Sequence, residues 1–255
     1  MRTAATAAIA GIVGVLGMTV PGAVRAAEIT ILAGQGVISA VRDLAPAFAQ
    51  ASGNKVTVSY EVGTGLMDKV NSGAAADVVT HYPNMIDELI KQGKVRAGTG
   101  AVIARAGLGV AVKAGAPKPD LSSAEAFKRA MLAAKTVAYS RTGASGLMAA
   151  KLMQRLGIAD ELKSRTVLVD GVPVAAVVAK GEAEIGIQQI NVILPVAGID
   201  YAGPLPPELQ DYVAFGAGVL TVSKAPEAAT ALVKFMSSPQ AGPLIRKSGM
   251  EPPVP

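Results

Sequence analysis

A recurring local grammar carries the chemistry in this chain: an apolar strand, a glycine-bounded turn, and the start of a helix. Gln35-Gly36 follows the apolar run Ile29–Ala33, and Gly63-Thr64-Gly65 follows Val56–Tyr60. His81 follows Asp77–Thr80, Arg141 and Ser145 follow Thr136–Tyr139, Val172 follows Thr166–Val169, and Gln189 follows Glu184–Gln188. A helix start offers unpaired backbone N–H groups and the positive end of its dipole, so it holds an anion without a cationic side chain. Thr64 adds a hydroxyl, and the flanking glycines let backbone approach a ligand closely. His81 can donate to an anion, Arg141 is placed to meet a carboxylate or oxyanion with two parallel bonds, and Gln188 or Gln189 must find partners if buried. Each residue also has an ordinary role: Thr64 as a helix cap, His81 bonded to backbone, Arg141 as a solvated loop cation.

Other chemistries are excluded by what is missing. There is no cysteine and a single histidine, which removes thiolate nucleophiles, disulfides and a histidine-rich zinc site. No cofactor or metal is expected. Gly143-Ala144-Ser145-Gly146 is not a nucleophile elbow. The formal charge is +5 and no lysine/arginine run occurs, so nucleic acid is not an expected partner.

The elements that must position these residues read as follows. Residues 1–26 have the pattern of a cleaved export signal: Arg2, an apolar run from Ala4 to Val20, and small residues up to Ala26. Losing Arg2 and Arg25 lowers the formal charge to +3. The mature chain is long enough for two lobes. A strand over Glu28–Ala33, a helix from Val37 to Ser52 closed by Gly53, and a strand over Lys55–Tyr60 make a βαβ unit, which implies parallel pairing and ligands at the strands' carboxyl ends. Ala101–Ala114 reads as a strand crossing between lobes, and Tyr212–Ser223 as the returning strand. Helices are expected at Ser122–Ala134, Leu147–Leu156, Val174–Lys180, Pro226–Met236 and Pro239–Lys247, and Leu205–Leu209 as a proline-bounded linker. This places lobe 1 at 27–107 and 213–255, lobe 2 at 108–212, and the hinge crossings near 103–113 and 212–223.

With this order of elements the chain resembles the type II periplasmic solute-binding proteins, and among them the molybdate-binding protein family of ABC transporters. The resemblance is carried by Ile31–Leu44, by Gly73–Val79, by Lys180–Ile187, and by the ending from Ala225 to Pro252. It implies two α/β lobes, each a mostly parallel sheet flanked by helices, closing on a small anion. It also implies a monomer in the periplasm that serves an ABC permease. Carried over residue by residue, the family's ligand serines fall on Gly36, which has no hydroxyl, and Thr64, which has one. The backbone donors of lobe 2 fall near Ser145 and Val172, and the pocket tyrosine falls at Gln189. His81 and Arg141 are additions; a tetrahedral oxyanion held by neutral dipoles has no need of the arginine, whereas a carboxylate would use it. Aconitate isomerase is similar in appearance, which opens an enzymatic alternative. There a tricarboxylate would lose and regain an allylic proton, with His81, or else Glu61, as the base.

Overall fold

The computed structural model describes residues 26–61 and 65–253. The export signal expected over 1–26 lies, but for Ala26, outside the described residues, and so do Gly63 and Thr64. In chain order the strands are β1 (Glu28–Gly34), β2 (Lys55–Glu61), β3 (Val78–His81), β4 (Ala101–Lys113), β5 (Val137–Ser140), β6 (Thr166–Val169), β7 (Ile185–Gln189), β8 (Ile199–Pro204) and β9 (Tyr212–Val219). The helices are α1 (Ile38–Ser52), α2 (Gly65–Asn71), α3 (Pro83–Lys91), α4 (Ala124–Ala133), α5 (Ala144–Arg155), α6 (Ala159–Leu162), α7 (Val174–Lys180), α8 (Ile190–Ile193), α9 (Pro226–Met236) and α10 (Gly242–Lys247). A 3₁₀ turn, Gln35–Val37, joins β1 to α1.

The strands run in the order β2-β1-β3-β9-β4-β7-β5-β6, with β8 paired to β4 off this path. β1 pairs with β2 and β3 in parallel, and β5 pairs with β6 and β7 in parallel. The two parallel groups are joined through β4, whose 13 residues pair antiparallel to β9 over Ala101–Gly107 and to β7 over Leu108–Val112. At the changeover the Gln210 side chain stands in for a strand: its Oε1 accepts from Leu108 N and its Nε2 donates to Leu108 O, both at 2.9 Å.

Sequence periodicity explains why the helices cover these sheets. On α1, Ala40, Val41, Leu44, Ala45 and Phe48 are buried at helical spacing, and Gly53 ends the helix in the left-handed conformation (φ 71°) that glycine adopts without strain. Ser123 caps α4, its side chain accepting from Ala126 N, and Phe127 and Met131 are fully buried one turn apart. Burying side chains of that size stabilises the fold by roughly 1.5–3 kcal/mol each. The apolar residues gather into separate cores. One joins β1, α1, β9, α9 and α10 through Ile31, Leu44, Phe215 and Leu232. Another joins β4, α4, α5 and β7 through Val110, Phe127, Met153 and Ile187.

Three readings of the sequence are corrected by these elements. Helix α5 begins at Ala144 rather than Leu147. The returning strand ends at Val219 rather than Ser223. The last helix is split: Pro239–Ala241 is a 3₁₀ turn, and only Gly242–Lys247 is α-helical. Pro243 at the start of α10 fits that change, since proline has no N–H to continue a preceding helix.

Candidate functional site

The sheet register locates the site. β3 is antiparallel to β9, which is antiparallel to β4, so β3 runs in the direction of β4, while β7 runs against it. The two parallel groups therefore point their carboxyl ends at each other. His81, ending β3, pairs with Gly216, which pairs with Val102; Gln189, ending β7, pairs with Leu108. From Val102 to Leu108 an extended strand covers ~20 Å. The strand ends thus face one another across a gap floored by β4 and β9, and this is where ligands gather in parallel sheets.

On the first side the candidates converge. Gly34 of β1 pairs with Glu61 of β2, and Gly34 N donates to Thr80 Oγ1 of β3 at 3.2 Å. Gln35, Gly36, Glu61 and His81 therefore share one sheet end. Gly36 is glycine for a spatial reason: a Cβ there would stand 2.6 Å from Phe215 Cε1 and 2.7 Å from Cζ. Phe215 packs on Tyr82 (centroids 5.6 Å apart), and Tyr82 packs edge-on to His81 (5.0 Å).

His81 is more closely defined than its sequence position allows. Its Nδ1 accepts from Tyr82 N at 2.7 Å, so the neutral ring carries its proton on Nε2. Burial pushes its pKa below the ordinary value of 6.5, because charge is disfavoured away from water. The resulting group is a neutral donor, with no free lone pair to act as a base. Glu61 is also ill-suited to proton abstraction: hydrogen bonds from Lys69 and Ser59 hold its carboxyl below the usual carboxylate range.

On the second side, Ser145 lies in the first turn of α5, behind the β5 carboxyl end. Gly146 is pressed so tightly onto Ser140 that a Cβ would fall 1.7 Å from its carbonyl oxygen. Ser140 Oγ accepts from Gly143 N at 3.0 Å and fixes the entry to the helix. Ser145 is 4% exposed and Gln189 8% exposed. The neighbouring Gln188 has a structural task, its Oε1 accepting from Val174 N at the start of α7 at 2.9 Å. Val172, 54% exposed, sits in the turn before α7. Arg141 also lies at this end, but its Nε donates to Asp170 Oδ2 at 2.7 Å in a half-exposed ion pair.

Ala144 and Met148 of α5 pack on the first side's core, and a buried polar side chain also spans the two sides. Asn191 of α8, 3% exposed, donates through Nδ2 to Gly36 O at 2.9 Å and to Ser39 Oγ at 3.2 Å. Its Oδ1 is buried without a partner among the described residues. Sequence reasoning missed Asn191 because a contact spanning 155 residues leaves no local signal. Two surface hollows of ≈ 520 and ≈ 410 Å³ lie elsewhere. One includes Arg96, whose N–H bonds Val219 opposite the first residue of β3. The other includes Ile185, the first residue of β7. Both are thus at the amino ends of strands, away from the converging donors. Among the described residues no cluster of three or more acidic or histidine side chains could hold a metal.

The family model described as bacterial extracellular solute-binding protein matches residues 29–251. The chain belongs to that family. This solute-binding protein is 31% identical over 229 residues to aconitate isomerase of Pseudomonas sp., covering 88% of the chain and 87% of the relative. It is 26% identical over 235 residues to the molybdate-binding protein ModA of Azotobacter vinelandii, covering 89% and 91%. In fold it is similar to the solved periplasmic molybdate-binding protein of Azotobacter vinelandii, with TM-score 0.69 and 20% identity, covering 89% of this chain and 100% of that one. The two-lobed α/β architecture is shared with that structure.

Proposed function

We propose that this protein captures a small anion in the gap between the facing strand ends and, in the periplasm, presents it to an ABC permease. The observation that carries the reading is the arrival of neutral donors from both sides at one gap: His81 Nε2–H, the α5 start at Ser145, and the Gln189 amide. Thr64, three residues after β2 in sequence, is assigned to the same ligand, and Gly36 and Val172 offer backbone. A buried site of neutral dipoles stabilises an anion without the desolvation cost of a matching buried cation. Lobe 1 over 27–107 and 213–255, and lobe 2 over 108–212, would close on the ligand by bending near Gly107, where strand pairing changes partners. The likeness to a molybdate-binding protein supports anion capture, and the absence of a membrane-spanning helix among the described residues is compatible with it.

Calorimetric titration of the ligand-stripped mature chain with cis-aconitate, molybdate and sulfate tests the reading. Saturable binding of at least one, at one site per chain, is expected; no heat from any of them at millimolar concentration would end it.

A second reading, an isomerase on the same scaffold, is favoured by the 31% identity to aconitate isomerase. Its difficulty is the base, because His81 Nδ1 is engaged by Tyr82 N and Glu61 is paired with Lys69. Proton NMR of cis-aconitate incubated with the pure protein decides it. Accumulation of the trans isomer above the uncatalysed rate would establish turnover, and none is expected if capture is the whole function.

A further inference from the structure

We propose that helix α8 is the fastening between the two lobes: a notch on lobe 1 grips it, so that contacts within the protein itself set how far the gap stands closed. The inference rests on the division into two lobes with a bend near Gly107, and not on which anion the gap takes.

α8 is built into lobe 2. Ile193 is buried with Ala111 of β4 and Ala175 of α7, and the helix follows directly on Gln189, which pairs with Leu108. Two segments of lobe 1, far apart in sequence, meet it. At the entry to α1, Asn191 Nδ2 donates to Gly36 O at 2.9 Å and to Ser39 Oγ at 3.2 Å. At the turn after α10, a Cβ on Gly249 would stand 2.6 Å from Leu194 Cδ1 and 3.3 Å from Asn191 Cα. Gly249 has φ 78°, so glycine serves there both the backbone and the close approach of the helix. This wall of the notch is anchored in turn. Met250 is buried in the first core, and Glu251 N donates to Arg105 O while Arg105 N donates to Glu251 O, both at 2.8 Å. Arg105 precedes the bend and pairs with Ala214 of β9, so the Gly249 turn stays with lobe 1.

A bend near Gly107 carries α8 out of the notch, because the two halves of the contact lie on opposite sides of the bend. A hydrogen bond stretched by about 1 Å is no longer one, so both Asn191 bonds break together. Leu194, 46% exposed, loses its packing against Gly249 in the same movement. On opening, Gly36 O and the Asn191 amide regain water, so the contact biases the lobes without locking them. Ala144 and Met148 of α5 pack on the core of lobe 1 and act in the same direction. Apolar packing of that kind tolerates sliding, whereas the two hydrogen bonds favour one interlobe angle. A ligand that adds contacts only in the closed form then shifts a balance the protein has already tilted.

The chain contains no cysteine, so a dye pair can be placed on Gln50→Cys of α1 and Gln154→Cys of α5, both exposed positions. Single-molecule energy transfer on the ligand-stripped mature protein then reads the distance between lobes. Without the α8 substitutions, the short-distance form is expected to be at least as populated as the long one. Asn191→Ala should lower the short-to-long ratio about tenfold, and Leu194→Ala about threefold. Far-ultraviolet circular dichroism confirms that each variant is folded; if Asn191→Ala is not, the half-exposed Leu194→Ala decides the matter. An unchanged ratio in the folded variants, or a protein found only in the long form before α8 is altered, would overturn the inference. Calorimetry of the same proteins with cis-aconitate, molybdate and sulfate keeps the two readings apart. A lowered ratio with no saturable binding would leave the fastening standing and end anion capture, and binding with an unchanged ratio would do the reverse.

Discussion

At the scale of single residues, protonation and pairing decide what each side chain can do. His81 is kept neutral by burial, so its folded-state pKa lies below 6.5. A depressed pKa means the unfolded chain takes up the proton first; the stabilisation is present above pH 6.5 and is lost as pH falls through the folded value. Thermal melts are therefore expected to fall more steeply below pH 6.5 in wild type than in His81→Asn, which leaves Tyr82 N an acceptor but cannot titrate. Parallel curves would show that His81 contributes nothing to acid sensitivity. Arg141 is half exposed and committed to Asp170, and exposed pairs contribute about 0–1 kcal/mol. Arg141→Ala should accordingly shift the dissociation constant of cis-aconitate by less than about fivefold; a loss of a hundredfold would mean that the guanidinium leaves Asp170 for the ligand. The sequence placed Gly36, His81, Ser145 and Gln189 at strand ends because turn glycines and strand periodicity are local signals. It could not show that Gly36 is fixed by Phe215, or that His81 Nδ1 is spent on its neighbour's amide. Those facts depend on distances between residues, and spacing along the chain does not encode them.

At the scale of elements, the start of α5 and the short helix α8 carry the arrangement. Reading Gly143 to Gly146 as a loop overlooked that Gly146 is a helical residue whose missing side chain lets α5 dock on Ser140. Gly146→Ala would drive a methyl into the Ser140 carbonyl. The expected cost is about 1–3 kcal/mol or more, seen as a lower melting temperature together with weaker anion binding, since Ser145 moves with the helix. A variant with wild-type stability would show that the backbone yields there. Helix α8 and strand β8 went unread because the four residues Ile-Asn-Val-Ile and a short Ile-Asp-Tyr-Ala-Gly-Pro run give no usable period. Yet α8 supplies Asn191, whose amide reaches across to Gly36 and Ser39. Removing it by Asn191→Ala deletes two hydrogen bonds of about 0.5–1.5 kcal/mol each. Stopped-flow release of bound cis-aconitate should be about tenfold faster in that variant; an unchanged off-rate would make the contact a passive one.

At the scale of the whole molecule, one long strand organises the fold. β4 serves β9 with its first half and β7 with its second, so two parallel sheets of opposite heading share a backbone and meet end to end. Behind the gap, Arg105 lies over the Tyr212 ring at 4.4 Å and pairs with Glu251 at 2.9 Å, tying the chain's end to the crossing. The α/β class and the order of elements were legible because the βαβ grammar is written in glycine turns and apolar runs. The facing of the two sheets was not, because it follows from strand register. The central claim is that donors from both sides hold one anion in that gap. The most direct measurement is a ¹H–¹⁵N correlation spectrum of the mature protein titrated with cis-aconitate and, separately, with molybdate. The account predicts that the amides of Gly36, His81, Ser145 and Gln189 shift together at a common saturation point with at least one of these anions. Shifts confined to one side of the gap, or gathered around Arg96 or Ile185 at the opposite strand ends, would contradict it.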